Sequence, residues 1–377
     1  RIKSDKPAIY FKNEINTVKS LSYNELFGLV EKLTFALKDI GVKSGDRIAG
    51  FVPNIPETVA AMLSTSTIGG IWSSSSPDFG IKGVLDRFKQ IEPKILFAAN
   101  GYFYNGKEYD LTKRINEIID QLPSLKKVVI IPYLGNDVDV SKINKGISWE
   151  DFISQGNTSI AFEQLPFNHP LYIMYSSGTT GLPKSIVHGA GGTLVQHLKE
   201  LRLHGNVSSD DTIFYFTTCG WMMWNWLVSN LAIGATIVLY DGNPFYPNHN
   251  QMWDMIDEFQ ITHFGTSAKF IDACKQEGLT PINTHSLDSV KTIFSTGSPL
   301  NEESYDYIYK YFKKDIQLSS ISGGTDIISC FAGGNPTLPV HRGEIQCRGL
   351  GMAVKSYSED GSSEINKKGE LVCTKPF

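Results

Sequence analysis

The sequence predicts an α/β fold of two mainly parallel, helix-covered sheets, followed by a small β-rich segment. Three observations carry this expectation. Short apolar, β-branched runs alternate along the chain with segments of helical periodicity, the pattern of parallel strands joined by covering helices. Helix start and stop signals fall between those runs. At 377 residues and 41% hydrophobic, the chain can bury a large core and is long enough for more than one subdomain.

Ser22-Tyr23-Asn24-Glu25 reads as a capping box, in which the serine and glutamate side chains each accept from the other's backbone N–H. Leu26, Leu29, Val30, Leu33 and Leu37 follow at helical spacing, and Gly41 closes the helix. Residues 47–52 read as a strand and 57–68 as a helix, and a short apolar run precedes Ser73 to Ser76. Residues 86–90 fit a helix, and 95–98 and 128–131 fit buried strands. The rhythm then repeats, with strands at 212–216, 235–240, 263–265 and 290–294 and helical patterns between them. The expected division is one α/β subdomain over 1–167, a second over 168–340, and the start of a β-rich part over 341–377. No internal repeat, low-complexity tract or Pro/Gly-rich linker interrupts this.

Residues 221–240 carry no charge over a length that could cross a bilayer. Asn225, Ser229 and Asn230 break the run, Gly234 precedes β-branched Thr236-Ile237-Val238-Leu239, and no positive flank is present. Helix, turn and buried strand is the better reading, so no membrane partner is expected. A net charge of −4 argues against a general nucleic-acid binder. Cys219, Cys274, Cys330, Cys347 and Cys373 form no C-x-x-C pair. Reduced thiols of a cytosolic protein are expected rather than disulfides or a zinc site. His197 and His204, seven apart, could share a helix face, but no third ligand stands beside them and they read as structural.

The densest chemistry lies in Tyr175-Ser176-Ser177-Gly178-Thr179-Thr180-Gly181-Leu182-Pro183-Lys184. Small residues let the backbone approach a polyanion, hydroxyls and N–H groups donate to it, and Lys184 adds a point charge. A Walker A loop is the nearest alternative. In that register Pro183 stands where a glycine is needed and removes an N–H donor. Ordinary turn hydroxyls are the plainer reading of the serines and threonines.

These ten residues resemble the phosphate loop of the adenylate-forming enzymes, which include acyl-CoA synthetases, luciferases and adenylation domains of peptide synthetases. Two further segments are similar to that family's motifs and follow in order. Ser295-Thr296-Gly297-Ser298-Pro299-Leu300 resembles the loop against which adenine packs, and Ser322-Gly323-Gly324-Thr325-Asp326 resembles the family's aromatic-G-x-T-E segment. The wording of Ile186-Val187-His188-Gly189, Thr217 to Asn225, Asp241-Gly242-Asn243-Pro244 and Gly343-Glu344-Ile345-Gln346-Cys347 is similar to the branch that activates acetoacetate. The resemblance covers nearly the whole chain, most strongly residues 168–350, and implies the large N-terminal domain of the adenylate-forming fold.

The resemblance implies an acid–thiol ligase that uses MgATP to form an acyl adenylate and then transfers the acyl group to coenzyme A. No prosthetic group is implied; ATP, Mg²⁺, coenzyme A and acetoacetate are the small-molecule partners. Ser176, Ser177, Thr179, Thr180 and Lys184, with the backbone of Gly178 and Gly181, would hold the β- and γ-phosphates. Thr325 would contact the α-phosphate and Asp326 would bind Mg²⁺ as a hard oxygen ligand. The family residue there is glutamate, so the shorter aspartate leaves metal contact direct, water-bridged or shifted; a helix N-cap is the structural alternative. Gly297, Ser298 and Pro299 would line adenine, or else form a plain strand-to-helix turn.

For the acid, Gly323 and Gly324 replace bulky tryptophans of the acetate-activating relatives, which implies room for a longer substrate. Gly220 and Trp221 would shape the opposite wall together with Met222, whereas Trp224 and Trp226 read as core packing. Lys107, after Asn105-Gly106, stands where related synthetases place a cation for the nucleotide phosphate of coenzyme A. Arg87 is a second candidate, equally explained as a solvated helix face. Another short-chain acyl-CoA synthetase is one alternative. A carrier-protein-loading adenylation domain is a second, although Trp221 to Asn225 lacks the aspartate that would anchor an amino-acid substrate. The chain starts at Arg1 and stops soon after Gly369-Glu370-Leu371-Val372-Cys373, where family chains continue. A ribose-binding aspartate, a hinge and a mobile C-terminal domain with an adenylation lysine are therefore expected outside it, and these residues alone are expected to bind nucleotide without turnover.

Overall fold

Two seven-stranded sheets dominate the computed structural model, which describes residues 4–135, 138–154, 160–176 and 181–377. The first runs Lys184–Gly189, Pro170–Ser176, Ile71–Ser75, Arg47–Phe51, Ile95–Ala99, Lys127–Ile131, Gly146–Ser148. The second runs Gln317–Ser320, Thr292–Thr296, His263–Ser267, Thr212–Tyr215, Thr236–Asp241, Pro7–Asn13, Val18–Ser22. Pairing is parallel except at one edge of each sheet, where Pro170–Ser176 folds back as Lys184–Gly189 and Pro7–Asn13 folds back as Val18–Ser22. The strands expected from sequence are present, each shifted by no more than two residues at its ends.

The division expected at residue 168 is not where the sheets divide. The first hairpin belongs to the second sheet, with Ile9 opposite Ile237 and Phe11 opposite Leu239. The hairpin after 168 completes the first sheet, with Tyr172 opposite Trp72. The apolar run at 8–11 buries its side chains only by pairing with a strand more than 200 residues away, a partnership no local pattern reveals. The boundary at 340 is crossed as well. Ser322–Gly324, Ser329–Gly333 and Cys347–Arg348 form one small sheet, and Val354–Tyr357, Ser363–Glu364 and Glu370–Cys373 form another.

Ser22 Oγ accepts from Glu25 N–H and Glu25 returns the bond to Ser22 N–H, so the capping box starts helix Tyr23–Asp39 as expected. Its Leu26, Val30, Leu33 and Leu37 enter a core shared by both sheets through Ile48, Trp72 and Ile237. Full burial of each such side chain contributes about 1.5–3 kcal/mol. The uncharged stretch at 221–240 forms helix Met222–Val228, a 3-10 turn Ser229–Ala232 and strand Thr236–Asp241. Among the described residues no helix is long and apolar enough to cross a membrane. Helix Ala190–Lys199 ends in a π-helical turn, Glu200–His204, a local widening that often aims side chains at functional sites.

Candidate active site

The hydroxyl-rich loop connects the two strands of the edge hairpin, so Ser176 and Lys184 stand opposite each other at its base. Ser177, Gly178, Thr179 and Thr180 lie outside the described residues. Gly181 has φ +99°, a conformation costly for any residue with a Cβ. Helix Ile81–Ile91 braces the returning strand: Gln90 Nε2 donates to Pro183 O at 2.9 Å, and Ser185 Oγ donates to Gln90 Oε1 at 2.9 Å. Lys184 is exposed and pairs with no described residue.

Strand Ser322–Gly324 turns through Thr325 to Ile328 and returns as Ser329–Gly333. Asp326 therefore sits exposed in a hairpin turn, and the helix N-cap alternative does not hold. His188, from the phosphate-loop hairpin, lies against the Thr325 backbone and near the Asp326 carboxylate. Burial lowers its pKa, and its Nε2 has no partner. The sequence reading quoted His188 without giving it a role. Gly297, at φ +90°, turns the chain from strand Thr292–Thr296 toward helix Glu302–Tyr307, which Asn301 caps by accepting from Ser304 N–H at 2.9 Å.

These turns meet in a cavity of about 820 Å³. Gly297, Ser298, Pro299, Gly323, Gly324, Thr325 and Trp221 all line it. Trp221 is 58% exposed at the mouth. Gly220 is not on the wall; a Cβ there would meet the Phe79 ring at 3.4 Å and Ser76 N at 3.5 Å, so it packs against that loop instead. Lys184, Ser176, Gly181 and Asp326 also lie off the wall. Trp224 is core, as read, with its Nε1 donating to Asn54 Oδ1 at 2.9 Å; Trp226 is buried yet faces the cavity.

Gly323 needs a different explanation from an omitted indole. A Cβ built there would overlap the Ser329 carbonyl and come within 2.6 Å of Cys330 Cα. The neighbouring strand, not empty space, occupies that direction, and a side chain would displace it. At Gly324 a Cβ would meet only the Asp326 carboxylate. The cavity wall also includes Glu200, Ser329 and Cys330, which the sequence reading missed.

Glu200 is 3% exposed. Its Oε1 accepts from Cys330 N–H at 3.0 Å, Gln196 Nε2 at 3.1 Å and the Ser329 hydroxyl, with Lys199 Nζ at 3.6 Å. Its Oε2 accepts from Trp226 Nε1 at 3.0 Å. Burial alone would raise its pKa, but the bonds from Cys330 and Ser329 and the charge of Lys199 outweigh it, holding the carboxylate below its ordinary range. Cys330 is pushed well up by burial and by Glu200, and stays a thiol. His197 and His204 are structural, as read. His197 bonds Ser229 Oγ and Ile328 O, both at 2.8 Å; His204 contacts Gly334 O at 2.7 Å and accepts from Leu350 N–H at 3.0 Å.

The proposed coenzyme A cations lie elsewhere. Lys107 is exposed on a separate hairpin, Gly101–Tyr104 with Lys107–Asp110, whose turn is held by Glu14 accepting from Asn105 N–H at 2.9 Å and Gly106 N–H at 2.8 Å. Arg87 is half-buried over the rings of Phe79 at 4.7 Å and Tyr175 at 5.5 Å, so it packs on aromatic side chains rather than forming a solvated helix face.

Acetoacetyl-CoA synthetase of Gallus gallus is 52% identical over 99% of this chain, and acetoacetyl-coenzyme A synthetase of Rhizobium meliloti (strain 1021) is 50% identical over 98%. The solved acetoacetyl-CoA synthetase from Streptomyces lividans superposes with a TM-score of 0.94 at 43% identity over 99% of the chain. In all three cases the chain spans 57% of the relative's length. The family model described as AMP-binding enzyme matches residues 1–377, from one end of the chain to the other, and the chain belongs to that family.

Proposed function

We propose that this chain forms the nucleotide- and acid-binding part of an ATP-dependent, AMP-forming acetoacetate–CoA ligase. The carrying observation is that the Gly297-Ser298-Pro299 turn, Thr325 and Glu200 all line one cavity. Adenine, the α-phosphate and the acid would then lie in sequence along it. An acid oxygen could attack the α-phosphorus, break its bond to pyrophosphate and give an acyl adenylate. A coenzyme A thiolate could then attack the acyl carbon and release AMP.

No general base is required for the first step, because the acid arrives as a carboxylate. Positioning and charge stabilisation carry it. Thr325 offers a hydroxyl where the phosphate and acid regions meet, and the Ser176–Lys184 hairpin end would hold the outer phosphates. Mg²⁺ bound to those phosphates would neutralise charge on the departing pyrophosphate. Asp326 fits such a cation: it is exposed, pairs with no described residue, and Mg²⁺ carried by phosphates needs only one or two protein carboxylates. Among the described residues no group of three His, Cys, Asp or Glu side chains could cage a metal, which suits a metal arriving with substrate.

ATP–pyrophosphate exchange by the full-length protein containing this chain tests the reading, with acetate, propionate and acetoacetate compared. Acetoacetate should give the highest kcat/KM. A preference for acetate would overturn it.

A further inference from the structure

We infer that Glu200 determines substrate specificity: its fixed negative charge on the deep wall of the acid chamber admits acids with an uncharged far end and rejects dicarboxylates of the same size. This rests on the acid-activating function proposed above.

The wall is sharply asymmetric in charge. Among the described residues no lysine or arginine lines the cavity, and Glu200 is the one acidic side chain that does. The buried Lys199 ammonium pairs with it and screens part of this charge, but no lysine or arginine among the described residues faces it from the cavity side. Lys199, 3.6 Å away, does not line the cavity. His197 is fully buried and bonded at both ring nitrogens, and burial lowers its pKa. His204, which also lines the cavity, accepts from Leu350 N–H at Nε2 and meets Gly334 O at Nδ1. The Ser329 hydroxyl, Cys330 N–H and Trp226 N–H already donate to Glu200.

An acid entering past Trp221 must place its reacting carboxylate near Thr325. Ser329 and Cys330 pair with Gly324 and Gly323, next to Thr325, so the far end of a four-carbon acid would lie against Glu200, Ser329, Cys330 and Trp226. A methyl ketone or an amide can lie against that wall. A second carboxylate there would be desolvated beside a like charge, with no cation facing it. Rejection through repulsion is a means of specificity that needs no added contact with the favoured substrate.

Acetoacetate, malonamate and malonate share one heavy-atom skeleton and differ only in a terminal methyl, amine or oxyanion, so shape is held constant while charge changes. The full-length protein should use malonamate within about tenfold of acetoacetate in ATP–pyrophosphate exchange, and malonate at least about 100-fold less well by kcat/KM. In Glu200→Gln, the malonate-to-acetoacetate ratio should rise by about tenfold or more, as a repulsive charge is removed. The ratio is taken within each variant, so a smaller folded fraction does not affect it. Malonate use by the unmodified protein within about tenfold of malonamate would overturn the role of Glu200, since so small a gap leaves no charge discrimination. An unchanged ratio in Glu200→Gln would do the same. Failure with acetoacetate itself, alongside exchange with acetate, would instead overturn the proposed function.

Discussion

In the part of the cavity proposed for the nucleotide, Gly297, Ser298 and Pro299 occupy one local turn and Thr325 another, with Asp326 beside Thr325 but off the wall. Across the cavity, Glu200 is held by Ser329 and Cys330, 129 and 130 residues further along the chain. The first region presents backbone and short polar side chains at fixed local spacing. The second depends on a buried carboxylate whose donors arrive from three separate elements. A nucleotide is the same molecule for every member of such a family, so a local turn suffices to hold it. An acid substrate must be distinguished from near neighbours, and that calls for a chamber assembled over long range.

The largest expected effect falls on the nucleotide side. Asp326→Ala in the full-length protein should lower exchange on the order of 100-fold or more and raise the Mg²⁺ requirement, whereas Asp326→Glu keeps the charge and should restore most activity. Equal loss in both would separate Asp326 from the metal.

Next are the two adjacent glycines. Gly323→Ala forces the Ser329–Gly333 strand to move and should destabilise this chain by about 1–3 kcal/mol, read as a lower urea midpoint. Gly324→Ala meets only a flexible carboxylate and should stay within about 0.5 kcal/mol of the parent. Similar losses at both positions would contradict the assignment of Gly323 to strand contact.

A smaller effect is expected from Trp226→Phe, which removes one donor from the buried Glu200 carboxylate and should cost about 1–2 kcal/mol. The resulting defect should lie in KM for acetoacetate more than in KM for ATP.

A control outside both regions is a pH slope. Burial pushes Asp241 up to about 7, only partly opposed by the Tyr133 hydroxyl at 2.8 Å. Its folded pKa lies above the unfolded value of about 3.9, so folding takes up a proton between the two. That stabilisation is complete below the unfolded pKa and is lost as pH rises through about 7. Urea midpoints at pH 5 and pH 8 should fall further for the parent than for Asp241→Asn.

Features set by local chemistry were legible in the sequence. The Ser22–Glu25 capping box, the strand runs and the helix–turn–strand path through 221–240 all follow from residues near one another in the chain, whereas the cavity-lining segments at 297–299 and 323–325 were marked by their resemblance to family motifs. Pairing between distant segments was not. The apolar run at 8–11 was not read as a strand, and it carries nothing that selects the strand at 236–241 over the one at 71–75. Asn105-Gly106, both at positive φ, is a hairpin turn signal that the reading used for a cation instead of for structure. Glu200 was hidden for another reason: a single glutamate in a helical pattern resembles a solvated face until its burial and its donors are known.

Nucleotide and acid are proposed to share one cavity. Calorimetric titration of this chain with a nonhydrolysable acetoacetyl-adenylate mimic, in which a sulfamoyl group replaces the phosphate, tests it most directly. Linking the two halves should give one site per chain, binding at least about 100-fold tighter than AMP, with acetoacetate competing. Affinity no greater than that of AMP, or simultaneous binding of acetoacetate, would contradict it.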